Sequence, residues 1–80
     1  MAEQGRALTF TSHARVRLAE RGITVEDIRS VLARPLGGPG PGMRGTVVIS
    51  GVARGRLLVV ILGNDGGTVV TAFWRGDGNA

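Results

Sequence analysis

The 80-residue chain has no cysteine, no lysine and no tyrosine, and it has a single histidine. Without cysteine there are no disulfides, no thiolate chemistry and no Cys-ligated zinc, although the absence says little about redox compartment. One histidine leaves a His-rich zinc site without ligands. Aromatic residues are only 4% of the chain, namely Phe10, Phe73 and Trp74, so any core must be built from Val, Leu, Ile and Ala. Long apolar runs are also missing. The longest, "LLVVIL" at 57–62, is strand-sized, well short of the ~20 residues that cross a bilayer as a helix. The opening "MAEQGRA" lacks the apolar stretch of a secretory signal. The expectation is therefore one small domain with no membrane partner.

What is abundant is arginine. All ten basic residues are arginine, against six acidic ones, for a formal charge of +4. Coding bias is one explanation. Guanidinium groups are also planar, bidentate phosphate binders, so the balance tilts mildly toward a nucleic acid or an acidic partner.

The hydrophobic pattern predicts two helices and then strands. "ALTFTS" reads as a short strand or extended lead-in, and Ser12 is placed to cap a helix over about 13–21 that Gly22 ends. In "TVEDIRSVLARP", Thr24 and Asp27 approximate a capping box, and Ile23 is placed to pack against Ile28. Val25, Ile28, Val31 and Leu32 form one stripe, and Pro35 stops the helix. Residues 35–45, "PLGGPGPGMRG", hold five glycines and three prolines, which predicts an irregular connection. It reads as a spacer, or as a lid carrying Arg44. Strands follow at about 46–50, 56–62 and 68–74, linked by short turns, so an antiparallel meander is the simplest arrangement. The middle strand is apolar on both faces and expected to be central. In the last strand, alternation puts Val69, Thr71 and Phe73 on one face and Val70, Ala72 and Trp74 on the other. The expected fold is α+β: two N-terminal helices on a three- to four-stranded antiparallel sheet whose second face is open. The domain spans 8–75, with flexible tails at 1–7 and 76–80. The "RGD" at 75–77 is too short a motif to carry an adhesion function.

One constellation has chemistry. In "HARVRLAERGI", residues 13–23, His13 opens the helix, and Arg17 and Arg21 follow at i+4 and i+8. They fall within about 80° of His13 around the helix, so all three can line one groove. An imidazole there is a candidate proton acceptor. Each residue also has a plainer reading. His13 can be a helix-start residue without a task, Arg17 can pair with Glu20, and Arg21 can bond backbone carbonyls. Thr71, the polar member of an apolar strand, can serve β-propensity alone, or hold a phosphate by its hydroxyl. Arg15, Arg44, Arg54, Arg56 and Arg75 are further phosphate-binding candidates. Metal-free RNA cleavage needs a proton acceptor, a donor for the leaving oxygen and cations for the phosphorane. One histidine and two or three arginines meet that need without a cofactor. The alternative is a non-catalytic RNA-binding or protein-interaction domain.

The stretch "LTFTSHARVRLAERGITVEDIRSVLARP", 8–35, with "TAF" at 71–73, resembles a family of small bacterial domains. These are grouped with BrnT-like and RelE-like toxins in the barnase–EndoU–colicin–RelE ribonuclease superfamily. The motif residues are His13, Ala14, Arg17, Arg21, Gly22 and Ile23. The resemblance covers residues 8–74 and implies helices on an antiparallel sheet. It also implies metal-independent ribonuclease activity with His13, Arg17, Arg21 and Thr71 in the site. It further implies action on RNA in a bacterial cytoplasm, as a resident translation-blocking toxin or a delivered one, with a cognate antitoxin or immunity protein as partner. Phe73 stands where a tyrosine is common, so acid–base work by that tyrosine is closed to this chain.

Overall fold

The computed structural model describes residues 8–76; the expectations for 1–7 and 77–80 lie outside the described residues. In chain order the elements are β1 (Thr9–Phe10), α1 (Ser12–Arg21), α2 (Val25–Ala33), β2 (Gly40–Pro41), a single 3-10 turn (Met43–Gly45), β3 (Val47–Ala53), β4 (Arg56–Leu62) and β5 (Thr68–Trp74). The strands form one sheet in the order β1-β5-β4-β3-β2. The fold is α+β as expected, but the sheet has five strands and is mixed rather than antiparallel. β1 runs parallel to β5, with Thr9 opposite Thr68 and Phe10 opposite Val69.

The helices start and stop where local chemistry says. Thr11, not Ser12, caps α1, because the helix begins one residue earlier than the pattern suggested. The Thr11 hydroxyl accepts from the Ala14 amide at 2.9 Å. Gly22 ends α1 in the left-handed region, φ 67°. That conformation lets the Gly22 and Ile23 amides return to the carbonyls of Ala19 and Leu18. The capping box on α2 is complete: the Asp27 amide donates to the Thr24 hydroxyl, and the Thr24 amide donates to the Asp27 carboxylate. α2 ends at Ala33, ahead of Pro35.

Both helices cover one face of the sheet. Ala14 and Leu18 of α1 and Ile28 and Val31 of α2 meet Leu58 and Val60 of β4 in the core. β4 is the central strand, as its two apolar faces require. Each of these Leu, Ile and Val side chains stabilises by about 1.5–3 kcal/mol on full burial.

Two further expectations need correction. The glycine–proline stretch is not a free connection. Pro35 bridges to Gly51, the Leu36 amide donates to the Ser50 carbonyl at 2.8 Å, and β2 pairs with Val47 and Val48. A proline lacks an N–H, which suits an edge strand. The alternation in β5 is also broken. Leu62 lies opposite Val69 and Ile61 opposite Thr71, so Val70 is an extra residue in a β-bulge. Val69 therefore joins Ala72 and Trp74 on the helix-covered face. Thr71 and Phe73 stay on the open face.

Candidate functional site

α1 lies along β5 with Ala14 and Leu18 buried beneath it. Helical spacing sends the row His13, Arg17, Arg21 along one flank, turning toward the sheet as it descends. His13 is exposed in the first turn. Arg17 donates to Glu20 at 2.9 Å, the plain pairing its spacing suggested. Arg21 reaches the sheet. Its guanidinium donates to the Ala72 carbonyl at 2.8 Å and lies 3.4 Å from the Thr71 hydroxyl.

Arg21 is held from both ends. The Trp74 indole N–H donates to the Arg21 carbonyl at 2.9 Å. The last turn of α1 is thus tied to β5 by its backbone and its side chain together. Beyond its two-residue partner β1, β5 is an edge strand, and Arg21 satisfies a carbonyl there. The structure accordingly brings Arg21 and Thr71 together and leaves His13 on the same helix flank two turns away.

The outlying arginines separate into groups. Arg54 sits at φ 53° and Gly55 at φ 77° in the two-residue β3–β4 hairpin, the double positive-φ pattern of a type I′ turn. Its guanidinium forks onto Asp27, at 2.9 and 2.6 Å, and donates to the Gly22 carbonyl at 2.7 Å. Among the sequence candidates for phosphate binding, Arg54 is therefore engaged within the fold. Arg56 lies over the Trp74 ring, 4.2 Å from its centroid, with Arg54 at 5.4 Å. Arg75 follows β5, its amide donating to the Leu57 carbonyl. Arg15 is exposed, two residues round α1 from His13. Arg44, at φ 57° in the 3-10 turn, lies beyond β2, at the sheet edge opposite β5. Three strand spacings, ~14 Å, separate those edges, so Arg44 does not join the His13–Arg21 flank.

Among the described residues Asp27 is the buried charge, 4% exposed. Burial pushes its carboxyl up, but hydrogen bonds from Arg54 and Thr24 and the Arg54 charge outweigh that and hold it below the usual carboxylate range. Asp65 in the β4–β5 turn is also lowered, by the Gly67 amide and then by the Thr68 hydroxyl and amide. Among the described residues no three His, Cys, Asp or Glu side chains gather as a metal site.

Sequence reasoning missed the Asp27–Arg54–Gly22 junction. The capping box was visible, but the second use of its carboxylate depends on a hairpin 27 residues away. It also missed Phe73 as a surface residue. The signal was there, in the alternation Thr71, Phe73, Arg75.

Residues 10–74 match the family model described as "Domain of unknown function (DUF4258)", and the chain belongs to that family. No curated protein and no solved structure matches it.

Proposed function

We propose that this DUF4258 chain is a metal-independent ribonuclease of the barnase–EndoU–colicin–RelE kind, acting on RNA as a translation-blocking toxin. The carrying observation is the contact between Arg21 and Thr71. These two candidates, fifty residues apart, meet at the edge of β5, with Arg17 and His13 on the same flank of α1. In this reading the His13 imidazole takes the proton of the ribose 2′-hydroxyl. The 2′-oxygen bonds to phosphorus and the 5′-oxygen leaves, taking a proton from water. The imidazolium then returns its proton to solvent. Arg17 and Arg21 hold the phosphorane's charge, and Thr71 donates to a phosphate oxygen. The product is a 2′,3′-cyclic phosphate and a free 5′-hydroxyl.

RNA in a bacterial cytoplasm is the substrate in this proposal, and an antitoxin or immunity protein is the partner. The test is digestion of tRNA and total RNA in EDTA, beside His13→Ala. Fragments ending in cyclic phosphate, reduced at least 100-fold in the variant, are the expected result. Intact RNA with both proteins across a wide concentration range sinks the proposal. Saturable binding without turnover, equal in both, leaves the non-catalytic binder.

A further inference from the structure

The helices leave one face of the sheet uncovered, and three rows of side chains cross it. The strand registers give Val48–Ile61–Thr71, then Ser50–Val59–Phe73. The third row, Val52–Leu57, reaches Arg75 through the Arg75 amide on the Leu57 carbonyl. No carboxylate stands in any row. Phe73 is 39% exposed although its neighbour across the strands, Val59, is only 4% exposed. The ring therefore stands on a packed floor with its own surface open. Arg75 lies two residues along β5 on one side, and Thr71 with the Arg21 guanidinium lies two residues along on the other. From Thr71 to Arg75 is four strand residues, a rise of about 13 Å, comparable to two extended nucleotides with Phe73 at the middle.

We propose that this open face is a platform for single-stranded RNA, in which an unpaired base stacks on Phe73 while Arg75 and Arg21 hold the phosphates on either side. The occupant follows from the chemistry. A lone exposed ring suits a base, which has a π-face whatever its identity. Flanking guanidiniums with no facing carboxylate among the described residues suit phosphates. Stacked bases in a duplex offer no free face, so the platform selects unpaired RNA. The inference rests on the RNA reading above and deepens it, making Phe73 a positioning residue that presents the strand to the α1 flank. It does not depend on His13 chemistry.

The test is fluorescence anisotropy with a labelled, uncleavable 2′-O-methyl RNA 12-mer, single-stranded and as a duplex. Phe73→Ala is expected to weaken single-strand binding about 10-fold or more, to leave duplex binding within 2-fold, and to be rescued by Phe73→Trp. Arg29→Ala on α2, away from this face, is expected to lose under 3-fold. Melting of each variant, read by circular dichroism, checks that the fold persists. Affinity of Phe73→Ala within 2-fold of wild type overturns the platform, even if RNA is cleaved. Tight, Phe73-dependent binding without cleavage supports the platform and removes the ribonuclease. Sedimentation of the free protein is expected to give a monomer. A dimer dissociated by Phe73→Glu would assign the face to a second copy and overturn the proposal.

Discussion

Arg54 occupies a backbone conformation that costs a non-glycine residue about 1–2 kcal/mol, so something must hold it there. The holding group is Asp27, a nearly buried carboxylate already engaged at the N-terminus of α2. The fork between them joins the β3–β4 hairpin to both helices, since the same guanidinium also reaches the carbonyl of Gly22. Removing Arg54 leaves a buried carboxylate half-satisfied. Because the arginine side chain is 58% exposed, solvent screens part of the loss, and Arg54→Ala is expected to cost about 1–3 kcal/mol. The pair also sets an acid response. The Asp27 carboxyl is lowered in the fold from its ordinary 3.8. Above that value it is ionised folded and unfolded, and its stabilisation is complete. As pH falls through 3.8, the unfolded chain binds the proton first and the stabilisation erodes until the folded carboxyl is itself protonated. Thermal melts followed by Trp74 are expected to hold level between pH 7 and 5 and to drop below pH 4. Asp27→Asn is expected to be less stable at pH 7 and to show a shallower drop. A wild-type melting temperature unchanged at pH 3 would falsify the assignment.

At the scale of elements, α2 approaches β3 closely at Gly51. A Cβ added at Gly51 would meet Val31 Cγ1 at 3.1 Å and the backbone of Arg34 and Val31 at 3.2 Å. Backbone cannot step aside as a side-chain tip can, so Gly51→Ala is expected to destabilise by about 1–3 kcal/mol. Urea titration checks this, and an unchanged midpoint would show that α2 rides loosely on the sheet. α2 was readable in sequence because Thr24, Asp27 and the Ile28–Val31–Leu32 stripe all lie within nine residues. β4 was equally readable, since a run apolar on both faces has only the middle of a sheet to occupy. The parallel pairing of β1 and the β5 bulge were not. "ALTFTS" reads as a short strand or extended lead-in, and β1 lies within it, but its pairing depends on where β5 returns. The bulge at Val70 has neither glycine nor proline to mark it. The glycine–proline stretch misled in the other direction, because its composition signals bending but not the ladder that Gly40 and Pro41 make with β3. The same limits governed the site. His13, Arg17 and Arg21 could be chosen from helical spacing, and Thr71 from its polarity. The meeting of Arg21 with Thr71 needed α1 to lie along β5.

Across the whole molecule, the proposed RNA reading gives charge and apolar surface different tasks. Among the described residues nine arginines face four carboxylates, and two of those carboxylates are engaged by Arg17 and Arg54. The excess positive charge steers a polyanion but does not by itself choose one. The open sheet face adds the apolar element that would choose. These two contributions respond differently to salt. Each phosphate neutralised on a single strand lowers log affinity by about 0.7 per unit of log salt, and three such contacts would give a slope of roughly −2. Stacking on Phe73 releases no counterion. Arg75→Ala is therefore expected to flatten the slope by about 0.7, whereas Phe73→Ala is expected to displace the whole line downward without changing its tilt. Anisotropy titrations of the single-stranded 12-mer from 50 to 400 mM salt separate the two. Equal slopes for wild type and Arg75→Ala would mean that Arg75 touches no phosphate. A changed slope in Phe73→Ala would mean that the ring acts by arranging arginines rather than by receiving a base.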